Sequence, residues 1–384
     1  MASLYLHIPF CEKKCIYCDF YSVEHLQSMD AFVASLKKEI ELYAEYGKRD
    51  PVETIFFGGG TPSLLPPKTV GEILNLLAGK FTINKDAEIT LEANPGTVDK
   101  QKLFDLKAAG LNRISFGVQS FHKSDLEFLS RIHTADEATE AVAWAQQVGF
   151  TNINIDLIYA LPNQTMAQWE ENLRRAISLG TQHLSAYNLI VEEGTPLARM
   201  VRAKQVSPLP TDTEAEMYEF TMEYLGARGF DHYEVSNYSL PGFESRHNSN
   251  YWNHTNYIGF GPSAHSFWND RRWWNIANIQ SYCQHIEKGE TPVAGDEHLS
   301  GSQLFEEAVM LDARCGKVDL RSLEERYGAE IEPIAELCDS IATDGLATKI
   351  SATMYTLTPR GYLLCDEISE RIIREKAHTK LHAA

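Results

Sequence analysis

The sequence predicts an α/β fold, a partial (βα)6 TIM-like barrel followed by a smaller C-terminal α+β unit of winged-helix type. Three observations predict it. Short apolar runs of strand length recur through the first half of the chain, segments of helical period separate them, and polar or glycine-rich motifs sit at or just past the ends of the runs. Such alternation implies parallel strands joined by right-handed crossovers, and ligands then collect at the carboxyl ends of the strands.

The predicted strands cover residues 4–8, 54–57, 88–93, 113–118, 152–158 and 183–189. Ser28 is placed to cap a helix running through Phe32, Leu36, Ile40 and Tyr43, and the alanine-rich helix 135–147 stops ahead of Gly149. The alternation ends near Pro196, and Pro208 and Pro210 precede a further helix at 213–225. Residues 232–274 then hold Trp252, Trp268, Trp273 and Trp274 with His232, His247, His254 and His265. From about residue 299 the pattern is helical, with a short strand pair around 353–357 and Thr358-Pro-Arg-Gly361 opening a last helix. The reading divides the chain into a barrel (1–210), an aromatic-rich extension (211–298) and a C-terminal unit (299–384).

With 384 residues, 43% hydrophobic content and a formal charge of −18, the chain reads as a globular protein whose field repels nucleic-acid phosphate. Seven cysteines, three of them clustered and Cys283, Cys315, Cys338 and Cys365 scattered, argue against a disulfide framework and for a reducing, cytoplasmic setting. Six residues before His7 leave no room for a signal peptide, and no apolar stretch is long enough for a transmembrane segment.

Chemistry concentrates first in His7-Ile-Pro-Phe-Cys11-Glu-Lys-Lys-Cys15-Ile-Tyr-Cys18-Asp-Phe20. Three thiolates on a four-iron cluster leave one iron open, whereas structural zinc takes four protein ligands, and His7 is placed to complete such a Cys3His set. Spacing alone leaves the two open. Phe10, Ile16, Tyr17 and Phe20 bring apolar side chains around the cysteines. Phe56-Phe-Gly-Gly-Gly-Thr-Pro-Ser63 leaves the second strand through three glycines, which lets backbone N–H groups approach a carboxylate or phosphate. It lacks the lysine of a P-loop and, taken by itself, serves equally well as a tight turn.

Together, the CxxxCxxC loop and the glycine loop resemble the radical S-adenosylmethionine (SAM) superfamily. The resemblance implies a 4Fe-4S cluster on Cys11, Cys15 and Cys18, SAM chelating the open iron, and one-electron cleavage of SAM to a 5′-deoxyadenosyl radical. Tyr5-Leu-His-Ile-Pro-Phe-Cys11, Gly58-Gly-Gly-Thr-Pro-Ser63, Glu92-Ala-Asn-Pro95, Gly117-Val-Gln-Ser120 and Asp156-Leu-Ile-Tyr-Ala-Leu-Pro162 extend it over nearly the whole chain. These are similar to the oxygen-independent coproporphyrinogen III oxidase family. That likeness implies SAM contacts from Tyr5, Tyr17, Gly59, Gly60, Thr61 and Glu92, with Gln119, Arg131 and Asp156 at further SAM contacts, a second SAM molecule included. In chemical terms Glu92 accepts from ribose hydroxyls and Arg131 offers a fork to a carboxylate, while the plainer alternative pairs Arg131 with Asp156.

Two departures separate the chain from those oxidases. They carry a further cysteine two positions after the third ligand, where this chain has Phe20, and a longer N-terminal arm. Arg246-His-Asn-Ser-Asn-Tyr-Trp252 instead matches the HNxxYW motif of HemW-type haem chaperones. This resemblance implies haem carriage: His247 on the haem iron, Asn248, Tyr251 and Trp252 around the porphyrin, and Arg246, Arg271 or Arg272 on the propionates. The alternative is that these aromatics are core packing against the barrel. The resemblance further implies delivery to apo-haemoproteins, respiratory membrane proteins among them, peripheral membrane contact during delivery, and a flavodoxin or ferredoxin as electron donor. It is compatible with a homodimer. The competing expectation is an enzyme that oxidatively decarboxylates coproporphyrinogen III.

Overall fold

The computed structural model describes residues 1–382. At its centre six strands, β1 (Ala2–Ile8), β2 (Val52–Gly59), β3 (Ile83–Ala93), β4 (Arg113–Gln119), β5 (Ile153–Tyr159) and β6 (His183–Asn188), lie side by side in sequence order and run parallel. The intervening helices are α1 (Met29–Leu42), α2 (Pro67–Lys80), α3 (Lys100–Ala108), α4 (Lys123–Phe128), α5 (Ala135–Gln147) and α6 (Met166–Ser178). Each predicted strand is found, with its ends moved by a few residues.

Helix α1 forms because Phe32, Leu36 and Ile40 recur every fourth residue and are all buried against the sheet; each such side chain contributes about 2 kcal/mol when removed from water. Ser28 does occupy its N-cap position, but its side chain makes no cap bond there: Ser28 Oγ donates to the carbonyl of His25 at 3.0 Å. Helices α5 and α6 have full capping boxes instead, from Thr134 with Glu137 and Thr165 with Gln168. Gly149, at a φ of +94°, supplies the left-handed residue that ends α5.

Beyond β6 come α7 (Pro196–Arg202), α8 (Thr211–Gly226), β7 (Asp231–Glu234), β8 (Asn237–Ser239) and α9 (Arg246–Trp252). They are followed by β9 (Asn256–Phe260), β10 (His265–Trp268), β11 (Arg271–Asn275), α10 (Ile279–Glu287) and β12 (Val293–His298). The aromatic stretch therefore builds sheet, which the hydrophobic pattern did not foretell. Strand β8 adds antiparallel to β6 and β7 antiparallel to β8, while β9 pairs in parallel with β1 and leads to β10, β11 and β12, giving one twelve-stranded sheet with β1 in its interior.

The C-terminal unit runs α11 (Gly301–Arg314), β13 (Lys317–Asp319), α12 (Leu320–Tyr327), α13 (Ile331–Thr343), β14 (Ala347–Lys349), β15 (Met354–Leu357), α14 (Pro359–Leu363) and α15 (Cys365–His382). Its sheet is antiparallel in the order β13-β15-β14, so the expected strand pair has a third member, and the helix-strand-helix-helix-strand-strand succession is that of a winged helix. No helix among the described residues is long and apolar enough to cross a membrane.

Candidate functional site

The three cysteines lie on the loop between β1 and α1. That loop closes on itself, with Cys11 N donating to Val23 O at 3.0 Å and Val23 N to Pro9 O at 2.7 Å. The glycine loop packs directly against it: Gly60 N donates to Ile8 O at 2.8 Å. A Cβ on Gly60 would lie 2.6 Å from Phe10 O, and Gly59, at a φ of +109°, would meet the His7 ring at 2.7 Å. The glycines thus allow the ends of β1 and β2 to carry both motifs to one place. His7 has no free ring nitrogen, since Nδ1 meets Tyr5 OH at 3.1 Å and Nε2 meets Tyr21 O at 2.8 Å. It is not placed as a fourth ligand.

A cavity of about 390 Å³ opens over these loops, lined by Cys11, Cys15, Cys18, Tyr17, Gly59, Gly60, Thr61, Glu92, Gln119, Arg131 and Asp156. Of the SAM contacts expected from sequence, only Tyr5 is set back from this wall, its ring edge 2.9 Å from where a Gly58 Cβ would stand. Arg131 and Asp156 form no ion pair with each other. Arg131 donates from Nη1 to Cys15 Sγ at 3.4 Å and from Nη2 to Gly117 O at 2.6 Å. Asp156 accepts from Asn154 at 2.6 Å and from Ser115 at 3.2 Å.

The cavity wall is under-served in hydrogen bonds. Gln119 Oε1 and Arg131 Nε are buried without partners, a state that costs about 1–3 kcal/mol per group unless a ligand answers it. Glu92 accepts from Gly59 N at 3.2 Å, and burial followed by repulsion from Asp156 pushes its carboxyl up to about 8. Burial likewise raises the thiol of Cys11 and lifts that of Cys18 to about 11. A nearby cationic centre would reverse this and hold them as thiolates. All three cysteines are free, and among the described residues no three His, Cys, Asp or Glu side chains converge on one point as a single ion requires. Three thiols spaced around a cavity suit a cluster, in which each thiolate takes a different iron.

Phe20 lines the same cavity as the three cysteines but keeps 62% of its surface exposed.

The HNxxYW residues occupy α9, which sits at the amino-end level of the strands. Arg246 N and His247 N donate to Glu88 at 3.2 and 3.1 Å, and Glu88 faces the buried Arg113 at 3.9 Å. His247 is 1% exposed and its ring stacks on Phe56 at 4.8 Å. Its Nδ1 meets Thr54 Oγ1 at 2.7 Å and its Nε2 meets Tyr251 OH at 3.0 Å. Thr54 in turn donates to Ser3, which also accepts from Asn250. Burial and then the charge of Arg113 lower His247 to about 3, so the ring is neutral, with Nδ1–H donating and Nε2 accepting. Asn248 N is bound to Ser245 Oγ. Tyr251 and Trp252 are half-buried, and the Trp252 indole N–H is unpartnered. The arginines expected at propionates are engaged: Arg246 with Asp86 O and Glu53, Arg271 with Asp296, Arg272 with Glu297 and Glu307. The structure ties His247, Asn250 and Tyr251 into a hydrogen-bond network with Ser3 and Thr54 that leaves out the Trp252 indole.

Sequence reasoning missed the polar interior between these two ends. His183 bridges Asn154 at 2.6 Å and Tyr233 at 2.7 Å, and Asn154 also reaches Ser115 and Ser185. The alternation Asn152-Ile-Asn-Ile-Asp156 carried the signal, since a strand with one polar face inside a barrel needs partners there.

Cysteines at the carboxyl end of β1, a glycine loop leaving β2 and carboxylates on β3 and β5 gather around one cavity on a partial barrel, the arrangement expected of the radical SAM class. A model of the radical SAM superfamily matches residues 5–176. The heme chaperone HemW of Mycobacterium tuberculosis (strain H37Rv) is 36% identical over 378 residues, covering 97% of this chain and 94% of its own. HemW of Bacillus subtilis is 34% identical over 374 residues, covering 96% and 98%, and HemW of Escherichia coli is 40% identical over 266 residues, covering 68% and 69%. Among solved structures, the radical SAM enzyme coproporphyrinogen III oxidase (HemN) of Escherichia coli superposes with a TM-score of 0.83 at 24% identity, over 97% of this chain and 89% of that one, a likeness of fold. The chain belongs to the HemW family within the radical SAM superfamily.

Proposed function

We propose that the protein binds haem and passes it to apo-haemoproteins while carrying a SAM-coordinated 4Fe-4S cluster at the mouth of the barrel. The observation that carries this reading is similarity along 97% of the chain to proteins named heme chaperones. The thiolates of Cys11, Cys15 and Cys18 would hold the cluster, which when bound would supply one-electron reduction to SAM. Around it the chain's own groups bind and orient: Gly59 and Gly60 present backbone to the methionine part, Glu92 accepts from ribose hydroxyls, and Arg131 and Gln119 offer the unpaired atoms that a carboxylate or amine completes. Thr61, Tyr17 and Asp156 complete the wall. Tyr5 acts from below, through the hydrogen bond that fixes His7.

His247, with Asn248, Tyr251 and Trp252, supports haem ligation only where α9 releases His247 from Thr54 and Tyr251. Recipients of the haem include respiratory membrane proteins met peripherally, and a flavodoxin or ferredoxin supplies the electron. The test is an anaerobic haem titration of cluster-loaded protein, followed by transfer to an apo-haemoprotein read from the Soret band, and by sizing for a homodimer. Stoichiometric binding and transfer are expected. Decarboxylation of coproporphyrinogen III by the same sample, without haem transfer, would replace this reading with that of an oxidase.

A further inference from the structure

Exposed large apolar side chains occur at several places, among them Phe104 and Ile350, but three of them share one opening. Phe20 and Ile190 are each 62% exposed and Tyr187 is 40% exposed, and all three rim the cavity over the cysteine loop. An exposed aromatic and a branched aliphatic facing one opening are costly in water and mark a binding surface. The rim is held firmly: Leu189 N donates to Tyr159 O at 3.0 Å, and Leu197 N to Ile16 O at 2.9 Å, so the segment bearing Ile190 is tied to the cysteine loop bearing Phe20. Beneath it, Leu129, Ile158, Leu161, Leu189 and Leu197 form a separate apolar cluster that supports the rim.

The two lysines of the rim lie on one side of it. Lys13 and Lys14 stand on the Phe20 side, Lys14 Nζ being bound to the Phe20 carbonyl at 2.8 Å, with Asp19 beside them and Glu192 next to Ile190. Lys13 is exposed and has no ion-pair partner among the described residues. A planar apolar ligand with carboxylates at one edge fits this arrangement, whereas at α9 the imidazole is sealed and the arginines are already paired.

Resting on the haem-carrying reading above, we propose that haem docks at the mouth of the barrel, one porphyrin face on Phe20 and Ile190 and its carboxylates toward Lys13 and Lys14, away from α9. The position over the cysteine loop brings the haem iron close to the cluster.

The test uses the full chain, anaerobically reconstituted, with the wild type, the double variant Phe20→Ser/Ile190→Ser, and His247→Phe. Both rim residues are exposed, so the double variant folds and keeps its iron and its SAM binding. Its haem affinity falls by about tenfold or more, as expected for two lost apolar contacts, and haem loss in folded His247→Phe with full binding by the double variant would move the site to α9. As a second readout, ferric haem added to wild type speeds the spin relaxation of the reduced cluster. Unchanged haem affinity in the double variant, unchanged relaxation, or a double variant that binds haem but fails only in transfer would each overturn the placement, the last assigning the rim to the recipient protein. Absence of haem binding by the wild type would instead remove the haem-carrying reading itself.

Discussion

The two ends of the barrel are built to opposite rules. At the carboxyl end, Gln119 and Arg131 bury polar atoms with no partner, Glu92 holds its carboxyl against burial with one weak donor, and Phe20 and Ile190 stand in water. At the amino end, His247 has both ring nitrogens bonded, the first N–H groups of α9 are taken by Glu88, and Ser3, Thr54 and Asn250 close the circuit. Both ends carry histidine, aromatics and carboxylates. What differs is where the unmet groups stand: Trp252 Nε1 and Arg113 Nε and Nη2 lack partners around a fully bonded His247, whereas Gln119 and Arg131 lack them on the wall of an open cavity, as a ligand site does.

The largest effect expected from this contrast is at the cysteines. Replacing Cys15 with Ala should abolish cluster binding, read as loss of bound iron and sulfide, while the unfolding transition of the cluster-free protein stays close to that of wild type.

Glu92 comes next and tests the unmet end by pH. Its folded-state value of about 8 lies above the unfolded carboxyl value of 4.5, so the folded protein keeps a proton that the unfolded chain releases. The stability this provides is complete below pH 4.5 and is lost as pH rises through 8. Glu92→Gln should therefore make the ligand-free protein more stable than wild type at high pH, by as much as about 4 kcal/mol, and flatten the pH dependence in chemical denaturation. The same variant should bind SAM poorly by calorimetry. A destabilised variant with normal SAM affinity would place Glu92 among structural groups.

His247 tests the satisfied end. His247→Phe leaves Thr54 and Tyr251 without their partner and should cost about 2–4 kcal/mol in urea denaturation. Thr54→Val, which removes one member of the same network, should cost about 1–2 kcal/mol. Phe20→Ser, at the exposed rim, should lie within about 0.5 kcal/mol of wild type. If His247→Phe proved as neutral as Phe20→Ser, the contrast between the two ends would be broken.

Much of this was legible beforehand. Parallel strands announce themselves through continuous apolar runs because both faces are buried, so β1 to β6 and the motifs at their ends could be placed on one surface from sequence. Cys11, Gly59, Glu92, Gln119 and Asp156 do meet there. Strand β9 was not legible: Asn256-Tyr-Ile-Gly-Phe260 is five residues with no clear period, and what makes it a strand is the edge of β1 waiting for it. Neither was the burial of His247. A motif states which residues are present, but whether an imidazole faces solvent or a threonine depends on a contact 193 residues away in the chain. The same holds for Ser28, whose composition suited a cap but whose hydroxyl found a nearer carbonyl.

The interior position of β1 also has a consequence for how the chain is made. Strand β1 is synthesised first, yet one of its two neighbours ends at Phe260, and the His7 carbonyl lies so close to Gly261 that a Cβ there would approach it to 2.4 Å. Until that late strand leaves the ribosome, the cysteine loop hangs from a half-paired strand. Contacts of such long sequence separation form slowly, and unpaired strand edges invite misassociation while they wait. The strand that carries the cysteine loop therefore gains its second neighbour only after the chain has passed residue 260.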